Sequence, residues 1–73
     1  MNTPVIEIQA SNPLVNGTQL SGYLPAEDEI IDVTGKDSNV FRLLIRRHIY
    51  SIEDRGGREL GAITLVCGIQ GIL

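Results

Sequence analysis

Apolar and polar residues alternate with a period of two through much of this chain, and Gly, Pro, Asn and Asp interrupt the alternation at short intervals. That pattern predicts short half-buried strands joined by turns. Val5-Ile6-Glu7-Ile8-Gln9 sets Ile6 and Ile8 on one face and Val5, Glu7 and Gln9 on the other. Pro4 just ahead of it suits a sheet edge or a strand start, where no ladder N–H is needed. Ser11-Asn12-Pro13 and Asn16-Gly17 signal turns, and Asn-Gly is a strong hairpin cue because both residues tolerate positive φ. Thr18–Leu24 reads as a second strand, with Gly22 marking a bulge or a sharp bend. Ile30–Val33 reads as a third, between the acidic connection Ala26-Glu27-Asp28-Glu29 and the loop Thr34–Ser38.

The rest of the chain is organised around Asn39–Cys67, two long apolar runs flanking the turn signal Asp54-Arg55-Gly56-Gly57. Its first half, Val40–Glu53, fits two periods. As a helix, Phe41, Leu44, Ile45, Ile49 and Ile52 form one stripe and Ser38 is the N-cap. As a strand, Phe41, Leu43, Ile45 and Ile49 share one face, interrupted by Arg47, and the other face carries Val40, Arg42, Leu44, Arg46, His48, Tyr50 and Ile52. Two features favour the strand. The segment is rich in Ile, Val, Phe and Tyr, and it ends in Glu53-Asp54, which oppose the dipole at a helix C-terminus. A helix here would make the fold α+β and dissolve the row of basic residues. Glu59–Cys67 is the returning strand. Gly68–Leu73 is an apolar tail, and Val66, Ile69, Ile72 and Leu73 are candidate subunit contacts. The expected architecture is one all-β domain over residues 1–73: a small antiparallel five-stranded meander, as a bent sheet or partly open barrel.

With 73 residues the chain has one small core, and a domain of this size buries only about 60% of the surface its unfolded chain exposes. Small scaffolds usually need a disulfide, a metal or a partner subunit. One Cys makes no internal disulfide, and Cys67 with His48 falls short of the four ligands of a structural zinc site. Self-association is the remaining staple, so a homo-oligomer is expected. The net charge of −3 and pI of about 4.8 argue against sequence-blind nucleic-acid binding, which rests on phosphate neutralisation. A single Cys suits a reducing compartment, so a cytoplasmic location is expected. Met1–Gln9 lacks the basic and apolar regions of a signal peptide. The run Gly61–Leu73 is too short to span a bilayer, so no membrane partner is expected.

The basic cluster is Arg42, Arg46, Arg47 and His48. In a strand, Arg42, Arg46 and His48 share a face and could meet phosphates, another anionic ligand or an acidic partner. They could equally pair with Glu27, Asp28, Glu29 and Asp32, which would add little stability. A Cys67–His48 enzyme lacks a marked third group and any flanking signature. The acidic stretch lacks the alternating ligands and central Gly of a calcium loop. Gly56-Gly57 lacks the helix and Lys-Ser/Thr of a phosphate loop. No cofactor, metal or catalysis is expected. The first reading is a non-enzymatic homo-oligomeric module, a structural or protein-interaction subunit of a virion-type or scaffold assembly.

The order Leu14-Val15-Asn16-Gly17, then Leu20 and Gly22, then an acidic turn at Asp28, then Arg47-His48 ahead of Ile49 and Ser51, resembles the Sm-like family in its bacterial, Hfq-type form. The resemblance covers residues 14–53. It implies a small β-barrel in a ring-shaped homo-oligomer that binds RNA at a central pore, with Arg47 and His48 at the pore and the Asn16-Gly17 loop nearby. Three features depart from that pattern. The N-terminal segment is strand-like rather than helical, Arg46 stands where the family carries a stacking aromatic, and a further strong strand follows Ser51.

Overall fold

The structure, a computed structural model, describes residues 5–56 and 58–73, and the side chains of all of these except 53–55 and 58–60. The fold is all-β. Its strands are β1 (Val5–Gln9), β2 (Gln19–Leu20), β3 (Ile30–Thr34), β4 (Val40–Arg55) and β5 (Arg58–Ile72). Val40–Glu53 is therefore extended, and the basic residues of that segment lie on a strand. Pro4 lies outside the described residues. The second strand is shorter than Thr18–Leu24, because Gly22 at φ 101° turns the backbone out of the ladder.

The five strands form one sheet in the order β2-β1-β5-β4-β3, curled into a half-barrel. Its connectivity is not a simple meander: β1 runs parallel to β5, with Ile6 beside Ile63 and Ile8 beside Leu65. β5 pairs with β4 along one edge, and β1 takes the other, where Ile6 and Ile8 join the apolar face of β5. The segment Gly68–Leu73 is likewise not a loose tail. It completes β5, with Phe41 opposite Ile72, and the Leu73 N–H donates to the Val40 carbonyl at 2.8 Å.

The alternation in each strand sets the core. Ile6 and Ile8 of β1, Val33 of β3, Phe41, Leu43 and Ile45 of β4, and Ile63, Leu65 and Cys67 of β5 are all buried on the inner face. Each fully buried side chain of this kind contributes about 1.5–3 kcal/mol. The β1–β2 loop closes over that face with Val15, which is also buried. Gly17 at φ 83° turns the loop back, its N–H donating to the Ile8 carbonyl at 2.7 Å, and the Lys36 N–H donates to the Leu14 carbonyl at 2.9 Å. The loop is thus fastened to β1 and to the β3–β4 turn.

Two register shifts bend the long hairpin. One lies between Arg42 and Leu43 and leaves Gln70 of β5 without an opposite residue; the other leaves Arg46 of β4 without one, because Ile45 pairs with Cys67 and Arg47 with Val66. Each is a β-bulge, which bends a strand and increases its twist. The hairpin also outruns its neighbours. β3 covers β4 only over Val40–Leu44, and β1 covers β5 only over Ala62–Val66. The far end of β4–β5 is therefore a two-stranded arm in a molecule with principal extents of 43 × 25 × 21 Å.

Candidate functional site

The bulge at Arg46 decides what β4 presents. Before it, Phe41, Leu43 and Ile45 face inward and Arg42 and Leu44 outward. In regular alternation Arg47 would be the next inward residue. The extra residue restarts the alternation, so Arg47 pairs with outward-facing Val66, and His48 with the buried Leu65. Arg46 lies on the outer face, close enough that a Cβ on Gly68 would stand 2.7 Å from its Nε. This corrects the row of Arg42, Arg46 and His48: Arg42, Arg46 and Arg47 share the outer face, and His48 points inward.

The basic residues then have separate surroundings. Arg42 Nε and Nη2 donate to the two carboxylate oxygens of Asp32 at 3.0 and 3.2 Å, across neighbouring strands. That hydrogen bond holds the Asp32 carboxyl below its ordinary value and the Arg42 guanidinium above its own. Both side chains are exposed, so the pair adds little stability. Arg46 and Arg47 are exposed and form no ion pair among the described residues. His48 is half-buried, and its Nε2 donates to the Pro25 carbonyl at 2.7 Å. That bond requires the proton on Nε2 and pins the β2–β3 connection to the hairpin. Tyr50 meets the His48 ring edge-on, with centroids 6.3 Å apart.

Past the bulge, β4 carries Ile49, Tyr50 and Ile52 with exposures of 41, 67 and 74%. By pairing, His48, Tyr50 and Ile52 continue the inner face beyond the core, and Ile49 lies on the outer face. On its edge away from β5, the last backbone partners of β4 are at Ile45, whose N–H donates to the Glu29 carbonyl and whose carbonyl accepts from the Asp28 N–H. Beyond Ile45 that edge pairs with nothing among the described residues. The sequence reading missed this feature. Its signal was the uncharged run His48–Ile52 at the far end of a hairpin longer than any strand available to cover it.

The other candidates are dispersed. The Asn16 side chain accepts from the Ala10 N–H at 3.1 Å and so closes its own loop. Val66 is half-buried on the outer face, Ile69 packs against the core, and Ile72 and Leu73 are 59 and 62% exposed. Cys67 is buried; its Sγ donates to the Leu65 carbonyl at 3.3 Å, and burial pushes the thiol up to about 11. It therefore keeps its proton at neutral pH. An open groove of about 380 Å³ follows the seam between β2 and β3, from Leu20 and Tyr23 to Ile30 and Asp32. Two of its polar side chains are already engaged: Tyr23 Oη donates to Glu29 at 2.5 Å, and Asp32 holds Arg42. No cluster of three potential metal ligands occurs among the described residues.

Compared with protein-family models, curated proteins and solved structures, the chain matches none. What fold and geometry define is a small all-β domain with a projecting, open-edged arm that exposes Ile49, Tyr50 and Ile52.

Proposed function

We propose that this chain is a homo-oligomeric β module that serves as a structural or protein-interaction subunit. The observation that supports this most is the β4–β5 arm. Ile49, Tyr50 and Ile52 are exposed on it, next to an edge with no strand partner among the described residues. Natural sheets defend such edges with charges, Pro or short strands, and His48–Ile52 has none of these. The small core gives a second reason, since subunit contact supplies burial that one domain of 8.0 kDa does not.

Light scattering across a concentration series tests the reading. The expected result is a mass of two or more chains, unchanged by a short single-stranded RNA. A constant mass of 8.0 kDa at all concentrations overturns it. Arg46 and Arg47, exposed and without an ion pair among the described residues, favour a second reading, the Sm-like one, in which the oligomer binds RNA or another anionic ligand. That reading expects a mass gain with RNA that falls with salt and is lost in Arg46→Ala/Arg47→Ala.

A further inference from the structure

The open edge of β4 has a self-complementary sequence. From Arg46 it reads Arg-Arg-His-Ile-Tyr-Ser-Ile-Glu-Asp. Laid antiparallel against a second copy of itself and centred on Tyr50, it sets position 53 opposite Arg47 and position 54 opposite Arg46. Tyr50 meets Tyr50, His48 meets Ile52, and Ile49 meets Ser51. We infer that two copies pair through this edge about a two-fold axis at Tyr50, joining their sheets into one. The inference rests on the homo-oligomeric reading above and names its contact.

Three observations select this arrangement. The edge is free: on the side away from β5, β4 has no partner beyond Ile45 among the described residues. It is apolar where the copies would meet, at Ile49, Tyr50 and Ile52. Its charges also fix the register. A slip of one residue flips every side chain to the other face. A slip of two sets Arg47 opposite Ser51 in one direction and opposite Arg55 in the other, which loses the attraction or makes a like-charge pair. Only the Tyr50-centred register matches both arginines with both acids. The pairing is isologous and closes on itself, so it occupies the β4 edge of both copies at once.

A trapped cross-link and a charge swap test this on the full chain. With Cys67 replaced by Ser, Tyr50→Cys brings two thiols together at the axis. Directly opposed residues have Cα atoms about 4.5–5.5 Å apart, within disulfide range. Mild oxidation is expected to convert the protein to a linked dimer, and Ser51→Cys in the same background is expected to link far less. Arg47→Glu is expected to raise the dissociation constant about tenfold, because two symmetric attractive contacts become repulsive. Arg47→Glu/Glu53→Arg is expected to restore it. An oligomeric mass with no Tyr50 cross-link and no swap effect overturns this edge as the contact and leaves the homo-oligomeric reading standing. A monomeric mass at every concentration overturns both.

Discussion

Gly35 and Gly68 have the same clearance and opposite tolerance. A Cβ on Gly35 would stand 2.7 Å from Cε1 of Phe41, and one on Gly68 would stand 2.7 Å from Nε of Arg46. Phe41 is fully buried and cannot yield, whereas Arg46 is exposed and can swing away. Gly35→Ala should therefore cost about 1–3 kcal/mol, in the range of core overpacking. Gly68→Ala should cost at most about 0.5 kcal/mol, as for a surface change. Urea unfolding of the two variants checks the contrast, and equal losses would contradict it. Asp32 gives a second prediction at this scale. Arg42 holds its carboxyl below the ordinary 3.8, so its contribution to stability is complete at neutral pH. That contribution shrinks as pH falls below 3.8, where the unfolded chain takes up the proton first, and is gone below the folded value. Arg42→Ala should move the Asp32 titration upward by NMR; an unchanged titration would show that the pair does not form in solution.

Element by element, the sequence was legible where the cause is local. Ile6 and Ile8 alternate into the core, Gly17 and Gly56 occupy positive φ at turns, and Gly22 bends the chain. The long hairpin of β4 and β5 follows from the composition of Val40–Glu53. Two features were not legible. The parallel pairing of β1 with β5 joins segments far apart in the chain and leaves no local mark. The bulge hides because an extra residue only shifts the phase; its trace is the doublet Arg46-Arg47 between inward Ile45 and inward His48. That placed His48 with the arginines when it belongs with Pro25. The bulge makes a specific prediction. Deleting Arg46 restores regular alternation with Arg47 still outward and His48 still inward, so the variant should fold with a native-like circular dichroism spectrum. Deleting Leu44 turns Ile45 outward and Arg46 into the core even if the bulge absorbs the lost residue, and should abolish folding. Equal damage from both would contradict the register.

At the scale of the molecule, the arm and the core explain each other. β4 and β5, at 16 and 15 residues, exceed what the 5-residue β1 and β3 can cover. The uncovered length is where the exposed apolar residues and the free backbone edge coincide. The site residues read from sequence missed this because exposure of Ile49, Tyr50 and Ile52 depends on where other strands stop, which no local pattern encodes. The most direct measurement is amide hydrogen exchange by NMR at low and high protein concentration, read at the alternate amides between 47 and 53 that face away from β5. Backbone pairing between copies predicts that these amides become protected as concentration rises, together with the measured mass. Free exchange at every concentration, in a sample whose mass shows an oligomer, would contradict the edge as the subunit interface.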